Sequence, residues 1–285
     1  MKQTTDPRLT IAYQGVSGAN SHLACQATYP DMTPLSCANF EDLFAAVKTK
    51  KAIYAMIPIE NSVMGRVADI HNLLPGSGLS IISEHFQPVR HNLLAIPGAT
   101  LETIKRVESQ MPALSQCRKF IRDNRFETFA VADTAGAARD VAKKGDPTVA
   151  AIASSLAASI YKLQTISSNI EDAEHNTTRF LIMCLEENVP QINHKKNITS
   201  FVFHVKNVPS ALYKALGGFA TNNVNITKLE SYFIDGDFIA AQFYVDVEGH
   251  QEEASVKLAI DELKFYSKEI KILGSYPAHP FRTQK

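Results

Sequence analysis

No stretch of this 285-residue chain stays apolar for the length a helix needs to cross a bilayer, which excludes a helical membrane protein from the reading. Charge of one sign is lacking too: 29 Lys and Arg stand against 29 Asp and Glu, leaving no basic stripe for a phosphate backbone and excluding nucleic acid as a partner. The four cysteines, Cys25, Cys37, Cys117 and Cys184, have no paired spacing and sit among apolar neighbours, as reduced buried thiols do. Histidines such as His22, His71, His85 and His175 form neither an H-E-x-x-H run nor a Cys/His cluster, so chemistry without a metal or cofactor is expected. Met1 to Thr10 is polar with no apolar h-region, from which a cytoplasmic location is expected. What is present, 45% hydrophobic and 20% charged residues, suffices for two globular domains with cores.

From Leu9 to about Leu185, short apolar runs alternate with helical stretches. The runs are Leu9 to Tyr13, Ala52 to Ile59, Leu79 to Glu84, Leu93 to Ile96, Thr128 to Ala132, Val149 to Ala153 and Arg179 to Leu185. Helices are expected over Phe40 to Thr49, Val67 to Leu74 and Ala113 to Asp123, giving an α/β fold on parallel or mixed sheets. Glu186 to Asn197 is polar and contains Pro190, which marks a linker after a first domain of residues 1–187. Residues 197–280 then read strand, helix, strand, strand, helix, strand, the order of a ferredoxin-like fold. Pro209 in a first helical turn and Gly236 in a hairpin fit that order.

Two polar clusters stand out as if at the carboxyl ends of apolar strands, where open α/β sheets place ligands, so one shared crevice is expected. The first is Glu60-Asn61-Ser62, where Asn61 and Ser62 either bind substrate carboxylates or cap the next helix, and Glu60 has a structural role. The second is Asn176-Thr177-Thr178-Arg179-Phe180, where alternation puts Thr178 and Phe180 on one face and Thr177 and Arg179 on the other. Arg179 either fixes the neighbouring backbone or binds a carboxylate. Gly15 to Ser21 is either an ordinary strand-to-helix turn or an anion cradle that uses Ser21. Thr134 and Ser154 follow two further strands, and either line the same cleft or cap helices.

Taken together, Pro58-Ile59-Glu60-Asn61-Ser62, Gly65 and Asn176-Thr177-Thr178-Arg179-Phe180 resemble prephenate dehydratase. Ser109 to Cys117 is similar to that family's Ser-His-Pro-Gln-Ala-Leu-x-Gln-Cys but departs at Gln110, Met111 and Pro112; the family's Gly-Thr-Phe-Ser loop is Gly18-Ala19-Asn20-Ser21 here. Pro209-Ser210-Ala211-Leu212-Tyr213 and Asn225 to Ser231 resemble the phenylalanine-binding ACT domain of those enzymes, with Tyr232-Phe233 where the family has Arg-Pro. The resemblance implies a two-lobed, periplasmic-binding-protein-like catalytic domain closing by hinge motion on prephenate, plus a ferredoxin-like ACT domain. It implies that Thr178 is catalytic and that Ser21, Asn61, Ser62, Thr134, Ser154, Asn176, Thr177, Arg179 and Phe180 bind substrate. Ser210, Ala211, Leu212, Asn225, Ile226, Glu230 and Ser231 would bind phenylalanine as a feedback inhibitor in a homodimer or homotetramer. Arogenate dehydration and a non-catalytic aromatic-acid or amino-acid sensor are the alternatives.

Overall fold

The computed structural model describes residues 6–189, 196–206, 208–234 and 237–283. The expected hairpin turn at Asp235 and Gly236 and the linker residues 190–195 lie outside them. The order is β1 (Thr10–Gln14), α1 (Asn20–Thr28), β2 (Thr33–Cys37), α2 (Phe40–Lys48), β3 (Tyr54–Asn61), β4 (Gly65–Arg66), α3 (Ala68–Leu73), β5 (Ser80–Pro88), β6 (Asn92–Ala95), β7 (Arg106–Gln110), α4 (Met111–Gln116) and α5 (Arg118–Asp123). There follow β8 (Glu127–Val131), α6 (Thr134–Lys144), β9 (Val149–Ala153), α7 (Ser155–Tyr161), β10 (Gln164–Ser167) and β11 (Thr177–Cys184). The remainder is β12 (Asn197–Val205), α8 (Ala211–Thr221), β13 (Ile226–Ile234), β14 (Asp237–Glu248), α9 (Ala254–Tyr266) and β15 (Ser267–Pro277). Contacts divide the chain into two compact units: Met1–Arg66 with Phe86–Phe180, and Val67–His85 with Leu181–Lys285. The division in space therefore does not follow a single cut in sequence. Among the described residues no helix is long and apolar enough to cross a membrane.

Two mixed sheets, of order β2-β1-β3-β11-β5 and β10-β6-β9-β7-β8, carry the α/β part. β1 pairs in parallel with β2 and β3, and β7 with β8 and β9, while β6 runs antiparallel to β9 and β10. Alternate residues of β9 enter opposite cores: Ala150 and Ile152 pack with Val107 and Leu114, whereas Val149, Ala151 and Ala153 pack with Ala135 and Val141 of α6. Helix ends follow local chemistry. Asn39 caps α2 by accepting from Asp42 N at 2.7 Å; Asp133 caps α6 through Gly136 N, and Gly145 closes α6 at φ 65° after Lys143 and Lys144.

The helix expected over Ala113 to Asp123 breaks at Cys117. Asp172 N donates to Gln116 O at 2.7 Å, taking a carbonyl that a continuous helix would use, and the Asp172 carboxylate accepts from Lys119 N at 3.2 Å to start α5. β7 escaped the apolar pattern because its central Glu108 is buried, held by Lys144 Nζ at 2.8 Å and Arg106 Nη2 at 3.1 Å. β2 and β10 are edge strands with partly exposed, mixed sequences.

The second unit holds a ferredoxin-like sheet of order β13-β14-β12-β15, antiparallel throughout, with α8 and α9 on one face. Phe201, Phe203, Phe219, Phe243 and Val245 form that core, with Phe201 and Phe219 stacked at 5.8 Å. The other face is polar inside: buried Glu84 accepts from Arg282 Nε at 2.6 Å, Arg282 Nη2 at 2.8 Å and His279 N at 3.0 Å. Helix α8 begins at Ala211 rather than at Pro209, because Ser210 takes the left-handed conformation, φ 61°, at its N-cap. That conformation favours glycine, so a serine holds it at some cost.

Candidate active site

β11 enters its sheet beside the exit of β3. Ser62 N donates to Thr177 O at 2.9 Å, Thr177 N donates to Ser62 Oγ at 2.9 Å, and Ser62 Oγ donates to His175 O at 2.7 Å. Thr178 thus stands at the amino end of its strand, not at a carboxyl end as the sequence suggested, and meets Asn61 because the two strands run in opposite directions.

A cleft of about 280 Å³ lies here within the first compact unit. Of the expected residues it is lined by Ser21, Asn61, Thr134 and Thr178, joined by Gln14, Asn20, Met64, Val89, His91, Gln110, Gln116 and Asp133. Asn61 is the hub. Its Oδ1 accepts from Val63 N and Met64 N, both at 2.9 Å, while its Nδ2 donates to Asn176 Oδ1 at 2.7 Å and to Thr178 Oγ1 at 3.0 Å. The helix-capping alternative is not what Asn61 does: α3 begins at Ala68 behind Val67 with no side-chain cap, and Asn61 closes the turn between β3 and β4 while it faces the cleft.

Six expected binding residues do not line the cleft. Ser62 and Thr177 clamp the two strand ends together, as above. Arg179 is buried and donates to Glu60 Oε1 at 2.9 Å, so its charge is spent inside the protein and Glu60 has the structural role expected of it. Phe180, two residues further along β11 and so about 6 to 7 Å deeper, belongs to the core. Ser154 is buried, capping α7 through Ala157 N and donating to Gly18 O. Asn176 is buried behind Asn61 and donates to Gln116 Oε1 at 2.8 Å. Sequence reasoning missed His91, which carried no local signal. It also passed over Gln116, although that residue stands inside the matched Ser109 to Cys117 run.

No lysine or arginine is among the lining residues, and Asp133 is the only carboxylate. Positive potential comes instead from the amino end of α1, whose first residues Asn20 and Ser21 line the cleft with no side chain capping the helix, whereas the amino end of α6 is offset by its Asp133 cap. Among the described residues no group of three His, Cys, Asp or Glu could hold a metal. The loop before α1 is tied to the second sheet's helices: Tyr161 Oη donates to Ser17 O at 2.8 Å, and a Cβ on Gly18 would meet Ala157 Cα at 2.9 Å.

His22 fixes the same loop by accepting from Gly18 N at its Nδ1, 3.1 Å away, and stacks on Tyr13. Burial holds its pKa below 6.5, and burial does the same to His91 against the opposing pulls of Gln116 and Glu171. A depressed histidine stays neutral in the folded protein while the unfolded chain binds the proton, so stability is full above pH 6.5 and is lost as pH falls through the folded pKa values. We expect urea midpoints that are flat from pH 8 to 7 and decline towards pH 5.5. His22→Asn, whose amide oxygen accepts from Gly18 N without titrating, should flatten that decline; an unchanged slope would remove His22 as a cause.

The family model described as prephenate dehydratase matches residues 11–188. The bifunctional N-acyl-homoserine lactone acylase/prephenate dehydratase of Komagataeibacter europaeus is 47% identical over 272 residues, covering 95% of this chain and 97% of that protein. Arogenate dehydratase/prephenate dehydratase 1 of Arabidopsis thaliana is 35% identical over 286 residues, with 95% and 73% covered. Among solved structures, prephenate dehydratase from Arthrobacter aurescens in complex with L-Phe superimposes with a TM-score of 0.86 at 29% identity, covering 94% of this chain and 90% of that one. Likeness of this extent, over both the α/β part and the ferredoxin-like part, means that the chain belongs to the prephenate dehydratase family of carbon-oxygen lyases.

Proposed function

We propose that the chain converts prephenate to phenylpyruvate, water and CO2 in the cleft around Thr178. The carrying observation is the Thr178 hydroxyl, which accepts from Asn61 Nδ2 at 3.0 Å and donates to no group among the described residues. Its proton is therefore available to the cleft. As the ring C–COO⁻ bond breaks, its electron pair aromatises the ring and expels the ring hydroxyl, which takes up a proton and leaves as water. Thr178 stabilises that departing oxygen by a directed hydrogen bond, while the uncapped amino end of α1 holds a substrate carboxylate. Met64 and Val89 supply apolar lining, and exclusion of water beside them by bound substrate would favour loss of the carboxylate as neutral CO2.

The assay is phenylpyruvate release from prephenate by the purified chain, run beside phenylalanine release from arogenate. Turnover of prephenate at least tenfold faster is expected, since the lone lining carboxylate, Asp133, spends one oxygen on Gly136 N and is a weak partner for arogenate's ammonium. The reverse ratio makes the chain an arogenate dehydratase, and turnover of neither favours the sensor. An N-acyl-homoserine lactone, run in parallel, tests the second activity in the name of the Komagataeibacter europaeus relative. None of the cleft hydroxyls of Ser21, Thr134 and Thr178 bonds to an imidazole among the described residues, and no acyl release is expected.

The second unit supports feedback by phenylalanine acting between two copies of the chain. Ser210 to Leu212 begin α8 beyond the Val205 end of β12, whereas Asn225 and Ile226 begin β13 at the end where Ile226 pairs with Val247 and Val247 with Thr199. From Thr199 to Val205 is about 20 Å of strand, too far for one amino acid to touch both groups in one chain. A dimer through the edge strand β13 would bring one group of each copy together. L-Phenylalanine is therefore expected to inhibit, to raise the melting temperature and to favour the dimer. Asn225→Ala should weaken inhibition about tenfold, within the usual range of allosteric coupling. Millimolar phenylalanine without effect on rate or melting would leave this domain an assembly role alone. Truncation is a poor substitute for the point variant, since residues 67–85 share a compact unit with 181–285 and Glu84 would lose Arg282.

A further inference from the structure

The hydrogen bonds behind the cleft form one directed chain. Asn61 Oδ1 accepts from two backbone N–H groups, Val63 and Met64, and a backbone N–H cannot reverse its role. The Asn61 amide is therefore locked with its NH2 towards Asn176 Oδ1 and Thr178 Oγ1. With its oxygen taken, Asn176 must present its own NH2 to Gln116 Oε1, 2.8 Å away. Gln116 Oε1, already accepting there, lies 2.7 Å from His91 Nε2, which must then carry a proton. His91 is itself held by its backbone: its N donates to Glu171 Oε2 at 2.9 Å and its O accepts from Ile170 N at 2.9 Å. His91 and Asn176 are 3% and 1% exposed, so water does not compete for these links.

We propose that Gln116 and His91 are positioning residues for the dehydration, setting the direction of the Thr178 hydroxyl through the chain Asn176 and Asn61. The proposal rests on the role of Thr178 given above. At one end of the chain the imidazole is a fixed Nε2–H donor; at the other, Thr178 Oγ1 accepts, so its only proton points away from Asn61 and into the cleft. Removing the acceptor at Gln116 leaves the Asn176 NH2 unpaired in a buried place, which drives the amide to turn and draws Asn61 off Thr178.

The test is a double-mutant cycle on the full chain with prephenate: wild type, Gln116→Leu, Thr178→Ala and both together. Gln116→Leu is expected to lower kcat about 10- to 100-fold with KM within threefold, and to change kcat less than twofold when Thr178 is already Ala, because its effect passes through that hydroxyl. Gln116→Glu keeps both accepting contacts and should retain kcat within about fivefold while its charge raises KM. If Gln116→Leu lowers kcat by the same factor with and without Thr178, Gln116 acts on substrate or on the fold and the proposal fails while the role of Thr178 stands. A Thr178→Ala chain of normal kcat removes that role instead. His91→Leu carries the same cycle should Gln116→Leu not fold. Independently of activity, nitrogen chemical shifts of neutral His91 must report the Nε2–H tautomer; an Nδ1–H imidazole would break the chain at Gln116 and overturn the assignment.

Discussion

Thr178→Ala is expected to cut kcat for prephenate by about two to four decades, the range for removing one positioned proton donor. The fold should survive, since the hydroxyl's partner in the protein is the Asn61 amide, which keeps Asn176, Val63 and Met64. KM should move little, because the hydrogen bond gains its strength as the hydroxyl departs, and an interaction made in the transition state appears in kcat. Thr178→Ser retains the donor but loses the methyl group that restricts its rotation, so it should recover most of the rate. Normal turnover by the alanine variant, with unchanged melting, would take Thr178 out of the chemistry.

The largest stability effect is expected at Gly274 in β15. A Cβ there would overlap the backbone of Ile81, meeting its O, its N at 2.9 Å and its C at 3.0 Å. Backbone cannot swing aside as a side chain does, and both segments are fixed: Gly274 pairs with Ser200 in the sheet, and Ile81 is fully buried in β5 of the same unit. Gly274→Ala should therefore cost about 3 kcal/mol or more and lower the melting temperature by on the order of 10 °C. Gly217→Ala is the control. It lies inside α8 with nothing within 4 Å of the added carbon, and should be neutral or stabilise by about 0.5 to 1 kcal/mol through helix propensity. Equal melting of the two variants would show that the approach to Ile81 relaxes without cost.

Much of this protein was legible in its residues alone. β9 coincides with the expected Val149 to Ala153, and α2 begins at the expected Phe40, because apolar runs and caps are local signals that tertiary packing merely accepts. The βαββαβ order of the last domain and the pairing of Asn61 with Thr178 in one cleft were legible for the same reason: each element announces itself by its own period, and both motifs stand at element ends. The tertiary structure decided the rest. β7 carries a buried Glu108 that Lys144 and Arg106 pair, and the helix after it stops at Gln116, whose carbonyl accepts from Asp172, far along the chain. Arg179 and Ser62 have the side chains of ligand-binding residues and are used, with the Thr177 backbone, to hold strands, while His91 joins the cleft wall without local signal. A polar side chain's type is written in the sequence, but its partner is chosen by whichever complementary group the fold brings within about 3 Å, and that choice belongs to residues often more than a hundred positions away.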